Sequence, residues 1–190
     1  VPSGRYSFVM SVNTRERILN SAEERLLGGG PGGFVLDAIA AEAGVSKGGL
    51  LYHCASKEAL VAGLCDRMLA GFDLALGDSP PDDEREIGAF TRAYLASTVT
   101  NEGEPADNSA RLMAGILATL GHDSAHLDEV RRHFSRWHER LAGEGLDETT
   151  ATIVRLAADG LWLSALLGLP RLEGDLGART VKALHGLTRS

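Results

Sequence analysis

The chain has 190 residues, 44% of them hydrophobic, and a net charge of −7, enough for one large or two small domains around a buried core. Its longest apolar runs, such as LWLSALLGL at Leu161–Leu169, fall short of the roughly 20 residues that span a bilayer, so a soluble globular protein without a membrane helix is expected. Cys54 and Cys65 have neither metal nor disulfide spacing and are expected as small buried hydrophobes in a reducing, cytoplasmic setting.

The N-terminal VPSGRYSFVM has one arginine and no extended apolar segment; it reads as a polar arm before a start at Met10, without a role in the fold, and not as a secretory signal. From Thr14 the pattern is helical: Ile18, Ala22 and Leu26 recur at i, i+4 and i+8, Leu19 and Leu27 widen the stripe, and Thr14 can cap the first turn. GGGPGG, Gly28 to Gly33, predicts the end of that helix, because glycine and proline are the strongest local breakers. A second short helix carries Leu36, Ile39, Ala40 and Ala43 on its apolar side and ends at Gly44, the residue best able to take the left-handed conformation after a helix. Val45 fills the gap, and Ser46 caps a third helix from Lys47 to His53. Ser56 caps a fourth, with Glu58 in its first turn against the positive end of the dipole, running to Leu76.

GDSPPDDE, Gly77 to Glu84, has the paired prolines and acids of a linker. Five further helices are predicted at about 84–101, 107–120, 124–143, 148–168 and 173–188, separated by NEGEPAD, GHD, GEGLD and GLPRLEGD. No segment alternates as a strand does and no internal repeat is present. The predicted architecture is all-α, a small N-terminal three-helix unit joined through a connecting helix to a larger helical domain.

The net charge divides unevenly. Through Lys57 there are six basic and five acidic residues, a net +1, and the remainder carries 13 basic and 21 acidic, a net −8. The acidity therefore lies in the C-terminal part, leaving an N-terminal segment that can lie against phosphate. Two short helices joined at Gly44 match the helix-turn-helix pattern, whose second helix enters the major groove, and Ala40, Ala41 and Ala43 let the helices cross closely. An ordinary helical hairpin has the same pattern.

IAAEAGVSKGGLLYHCASKEAL, Ile39 to Leu60, resembles the DNA-binding signature of the TetR family of bacterial repressors, whose members commonly read IA-x-x-AGVSKG-x-LY-x-HF-x-SK-x-x-L. The match covers Thr14 to about Leu64; the remaining helices fit in number, length and order. The resemblance implies a homodimer of all-helical chains with a helix-turn-helix DNA-binding domain at 10–57 and a ligand-binding and dimerisation domain at 58–190. Such a dimer binds double-stranded DNA at a palindromic operator, an inverted repeat, and is released when a small-molecule effector enters the C-terminal domain.

By position the resemblance assigns DNA contacts to Ser46, Lys47, Gly48, Gly49, Tyr52, His53 and Lys57. Lys47 and the backbone at Gly48 open the recognition helix, where a lysine can donate to guanine O6 and N7. Tyr52 and His53 match positions that hydrogen-bond phosphate, although either side chain could instead be packed in the core. Lys57 sits where free N–H groups and the helix dipole favour an anion. The sequence also departs from the family: Val35 replaces a threonine that caps the second helix and touches phosphate, and Gly49 stands where threonine is frequent. Leu51 replaces a tyrosine, though a subset reading GGLLYHF shifts the aromatic by one, and Cys54 replaces a phenylalanine. With Gly48 and Gly49 bare, specificity is expected to rest on Lys47, backbone approach and DNA shape.

In the C-terminal domain Phe90, Tyr94, Met113, Leu117, Phe134, Trp137 and Trp162 are candidates, as a cluster, to line an effector pocket, suggesting an apolar or aromatic ligand; taken singly, each reads first as core. His122 and His126 have an i, i+4 spacing that can present metal ligands, but His122 lies in the turn GHD where Asp123 is better placed as a cap, so no metal is expected. His133 and His138 lie in RRHFSRWHER, whose arginines suggest a solvated face. No Ser/His/Asp or Cys/His set supports catalysis, so neither enzymatic activity nor a cofactor is expected. The last two helices are apolar with small residues (Ala151, Ala157, Ala158, Gly160, Ala165, Ala183), and the resemblance places them at the dimer interface; a monomeric core is the alternative. A rival function is a ligand-sensing or sequestering module that has lost operator binding, for which Val35, Leu51 and Gly49 speak.

Overall fold

A computed structural model describes residues 4–77, 86–120, 124–170, 172 and 175–189, the backbone alone at 4–13, 120 and 124–126. Nine helices run through them: α1 (Gly4–Gly33), α2 (Leu36–Glu42), α3 (Lys47–His53), α4 (Lys57–Leu76), α5 (Ala89–Thr98), α6 (Ser109–Leu120), α7 (Ser124–Gly143), α8 (Glu148–Leu167) and α9 (Leu176–Leu187). An isolated antiparallel bridge, Val99 to Pro105, is the only strand-like pairing among the described residues.

The first helix departs from expectation at its start and breaks inside the predicted GGGPGG. It begins at Gly4, so Thr14 lies inside it and does not cap it, and the arm before Met10 is largely helical. At the other end Gly28 and Gly29 remain in the helix, and the break comes at Gly30, with φ 58° and ψ −161°, followed by a short helical stretch through Pro31. Glycine weakens a helix by about 1 kcal/mol without forbidding it, whereas proline at 31 cannot continue the hydrogen-bond ladder. The fifth helix starts at Ala89 instead of 84, after Gly88 in the left-handed region, and the ninth starts at Leu176 instead of 173.

The chain divides into two compact units, 1–67 with 112–123 and 68–111 with 124–190, so α4 and α6 each run from one into the other. In the first unit Ile18, Leu19, Ala22, Ile39, Leu50, Leu60, Val61 and Leu64 are fully buried and form its core; Ile18, Leu19, Ala22 and Ile39 are on the faces predicted from helical spacing. Arg67 fastens the middle of α4 to α1: it donates to Asn20 Oδ1 at 2.6 Å and to the Leu19 carbonyl at 3.2 Å, and it pairs with Glu23 and Glu16. In the second unit Tyr94, Leu95, Trp137, Leu141, Val154, Ala158 and Val181 are buried.

α8 is more apolar than its short unbroken runs indicate: an 18-residue window within it has a mean hydropathy of 1.3, enough by length and composition alone to cross a membrane, a test that the core helix of a soluble protein also passes. Only 17% of that helix window is buried in the chain. Ile153, Leu156, Leu163 and Leu167 are 49 to 59% exposed and, with exposed Gly160 between them, follow a 3-4-3-4 spacing that puts them on one stripe.

Candidate functional site

The segment that joins α2 to α3 is built by hydrogen bonds that its sequence makes available. Gly44, at φ 65°, lets its own N–H reach the Ala41 carbonyl at 3.1 Å and the Val45 N–H reach the Ala40 carbonyl at 2.9 Å, the paired closure that ends a helix sharply. Arg17 of α1 supports this turn from beneath, donating from Nε and Nη2 to the Ala43 carbonyl at 3.1 and 2.5 Å and to the Gly44 carbonyl at 3.2 Å. A Cβ on residue 44 would lie 3.1 Å from Arg17 Nη2. Sequence reasoning missed Arg17, whose only signal is a basic residue one position before the buried Ile18.

Ser46 then caps α3, its Oγ accepting from the Gly49 N–H at 3.0 Å, and Ser56 Oγ does the same for α4 through the Ala59 N–H at 3.1 Å. Glu58 in that first turn is held below the usual carboxylate range by its own backbone N–H and by Ser56. Leu50 anchors α3 in the core, turning the rest of the helix outwards. Tyr52 is 84% exposed, which removes the internally packed alternative, and its ring meets the half-buried His53 edge-on at 5.2 Å. Lys57 Nζ lies over the Phe34 ring, 5.6 Å from its centroid. Lys47 Nζ donates to Asp37 Oδ2 at 3.0 Å, with both side chains exposed.

Packing leaves room at Gly48 and is tight at Gly49. A Cβ at Gly48 would find only Ser46 Oγ at 3.9 Å, whereas one at Gly49 would meet that capping oxygen at 3.3 Å and Val45 Cβ at 3.6 Å. Val35 precedes α2 without a side-chain cap, and half-exposed Leu51 offers no hydrogen bond. Cys54 and Cys65 are both buried, and burial pushes the Cys54 thiol up against the opposing charge of Arg15.

In the second unit four of the seven effector candidates come together. Phe72 stacks on Trp137 at 4.6 Å and meets Tyr94 at 5.7 Å; Phe134 packs against Trp137 at 5.0 Å and Trp162 at 6.4 Å. Phe90 is buried instead beside Arg140, whose guanidinium carbon lies 4.0 Å over its ring. Met113, buried, and Leu117, half-buried, belong to the first unit.

The polar atoms around the rings are satisfied by residues that the sequence reading did not select. Trp137 Nε1 donates to Asp73 Oδ1 at 2.6 Å, Tyr94 donates to Asp159 Oδ1 at 2.6 Å, and Trp162 Nε1 donates to Ser109 Oγ at 3.1 Å. Arg155 pairs with Asp159 Oδ2 at 3.2 Å, and His138 Nε2 lies 3.8 Å from the same oxygen. Burial, then the Arg155 charge, holds His138 below its ordinary range, while burial and the Asp159 charge push the Tyr94 phenol far up. His133 is nearly buried between Asp73 and Glu129, not on a solvated face. Phe72 was legible as the i+3 neighbour of buried Leu69 in α4; the carboxylates carried no signal until the helices packed.

Two further hollows lie elsewhere in this unit: one of about 480 Å³ among Glu104, Asn108, Arg111, Ala165 and Leu169, and one of about 650 Å³ beside Asn101, Lys182, His185 and Arg189. His122, Asp123 and the side chain of His126 lie outside the described residues, among which no group of three His, Cys, Asp or Glu could hold a metal ion.

The comparisons agree with this arrangement. Residues 18–64 match the model of bacterial regulatory proteins of the tetR family, and residues 88–189 match the tetracyclin repressor-like C-terminal domain. No curated protein sequence matches. Among solved structures, a transcriptional regulator from Rhodococcus sp. Rha1 is 18% identical with a TM-score of 0.70, covering 92% of this chain and 95% of its own. NalD, the secondary repressor of the MexAB-OprM multidrug efflux pump in Pseudomonas aeruginosa, is 20% identical with a TM-score of 0.59 and coverages of 94% and 95%. The multidrug binding protein EbrR, complexed with malachite green, is 24% identical with a TM-score of 0.59 and coverages of 92% and 97%. With both halves matched and an all-α architecture led by a helix-turn-helix, the chain belongs to the TetR family of bacterial transcriptional regulators.

Proposed function

We propose that this regulator is a ligand-responsive homodimeric repressor that binds an inverted-repeat operator in the cytoplasm and leaves it when a small apolar or aromatic molecule enters the C-terminal domain. Residues 10–57 are the DNA-binding domain and 58–190 the ligand-binding and dimerisation domain. The observation that carries this reading is the outward face of α3, where exposed Lys47 and Tyr52 stand on a helix fixed by the Gly44 turn and the Ser46 cap. Lys47 reads a guanine edge; the bare backbone at Ser46, Gly48 and Gly49 comes close to the DNA; Tyr52, His53 and Lys57 hold phosphate.

The aromatic group of Phe72, Tyr94, Phe134, Trp137 and Trp162 supports an aromatic effector, and the multidrug neighbours are in keeping with it. Phe90, in the same unit, is proposed to complete the lining when a ligand is bound. α4 carries Lys57 at one end and Phe72 with Asp73 near the other, so a ligand that displaces those two acts on the helix that also bears a phosphate contact. The exposed stripe of α8, with Leu176 and Leu187 of α9, supports a dimer by offering a second copy an apolar seam.

Anisotropy of labelled duplexes across a salt series tests the reading. Lys57→Ala is expected to weaken binding to every sequence and reduce the salt slope by about one, while Lys47→Ala relaxes discrimination at one or two base pairs. Equal effects of both on selected and random DNA would refute this division of roles. In a DNA complex the two recognition helices should lie about 34–36 Å apart. The uncapped Val35 favours a second reading, a ligand-sensing module without an operator; it prevails if no inverted repeat is bound at any salt concentration.

A further inference from the structure

We propose that Asp37 is a specificity-determining residue of this regulator: by holding Lys47 Nζ it turns that lysine away from phosphate and towards a base edge. The proposal rests on the DNA-binding reading above and adds to it a residue of α2 that touches no base by itself.

The geometry is simple. Asp37 stands in the first turn of α2 and Lys47 in the first turn of α3, and the turn between them brings Nζ to 3.0 Å from Oδ2. The other acid of α2, Glu42, is engaged by Arg25 at 2.7 Å, which leaves Asp37 as the carboxylate facing the recognition helix. An ammonium has three donors. One spent on Asp37 fixes the direction of the side chain, and two remain, the number needed to bridge guanine O6 and N7. A phosphate taken by the same nitrogen would bring its charge beside the carboxylate, so Asp37 penalises the contact that every DNA sequence offers. Because Gly48 and Gly49 present no side chain, little else on the start of α3 can supply this discrimination.

The full-length protein is used to select duplexes from a randomised pool, and affinities for a selected duplex and for an unselected one are measured across a salt series. Asp37→Asn is expected to bind the unselected duplex about two- to fivefold more tightly, the range that an exposed ion pair spans, with a steeper salt slope. Affinity for the selected duplex should change by less than about twofold, so discrimination falls. Asp37→Glu should restore discrimination in part. In a Lys47→Ala background Asp37→Asn should lose most of its effect on that ratio.

Equal tightening on both duplexes, or an undiminished effect without Lys47, would mean that Asp37 acts only as a surface charge, and the proposal would be overturned. A carboxylate here also stabilises α2 through its dipole, so thermal melts of each variant keep that contribution separate. If the wild-type chain enriches no sequence and binds no duplex, the DNA-binding reading fails itself; if it selects a sequence and Asp37→Asn changes nothing, the Asp37 proposal alone fails.

Discussion

Replacing Gly44 by alanine perturbs the turn on which the recognition helix depends, and the cost can be worked from two contributions. Residue 44 sits at φ 65°, where a Cβ costs about 1–2 kcal/mol, offset in part by the lower entropy of an unfolded chain with alanine. The new Cβ would also lie 3.1 Å from Arg17 Nη2, so the guanidinium must shift and weaken its bonds to the Ala43 and Gly44 carbonyls. Hydrogen bonds from a charged donor contribute about 1.5–3 kcal/mol when buried; here Arg17 is largely exposed and water can replace it, so about 1 kcal/mol is at stake.

Gly44→Ala should therefore cost about 2 kcal/mol in total. Arg17→Ala alone should cost about 1 kcal/mol, and the double variant about 2 rather than 3, because the alanine already displaces the arginine. Urea melts followed by circular dichroism give the totals, and amide exchange at Gly44 and Val45, whose N–H groups close the turn, reports the local effect. Both tryptophans lie in the other unit, so their fluorescence serves as an internal control. Strict additivity of the two substitutions would refute the coupling, and a loss below about 0.5 kcal/mol for Gly44→Ala would refute the argument from backbone conformation.

In the second unit, Glu144 is buried and accepts from the Phe90 N–H at 2.8 Å, the Thr91 N–H at 2.9 Å and the Thr91 hydroxyl, so Glu144→Ala should destabilise the fold by about 3 kcal/mol in the same urea assay. Glu144→Gln keeps one acceptor oxygen and should cost less. Tyr94→Phe removes the bond to Asp159 and should cost about 2 kcal/mol at neutral pH. Because folding raises this phenol above its ordinary 10.0, its contribution is complete below that pH and declines above it, where only the unfolded chain ionises. The phenylalanine variant should lose less stability than the wild type between neutral and strongly alkaline pH. If the proposed dimer forms through α8, Leu156→Glu with Leu163→Glu, both at exposed positions, should leave circular dichroism unchanged and yield monomer in sedimentation; an unaltered dimer would place the interface elsewhere, and a monomeric wild type would refute the dimer.

Much was decided by sequence alone. Helical spacing of Ile18, Ala22 and Leu26 identified the buried side of α1, Gly44 and Ser46 marked the turn and the next cap, and α7 was delimited at 124–143 as found. These are local matters: a cap, a breaker or an apolar period acts within a few residues and is legible in one dimension. The register of the motif was likewise enough to place Lys47, Tyr52 and Lys57 at the ends of α3 and α4.

Tertiary packing decided what depended on residues far apart in the chain. Nothing near Gly44 indicates that Arg17 holds its carbonyl, nothing near Lys47 indicates that Asp37 has captured it, and Asp73 and Asp159 became partners of Trp137 and Tyr94 only through helix packing. The aromatic group likewise gained Phe72 and lost Phe90, because a side chain's neighbours depend on which helices cross and at what height. Within the GGGPGG breaker the exact position of the break was likewise not legible: two glycines weaken a helix by an amount that neighbouring turns can outweigh, so it falls at Gly30, just before Pro31.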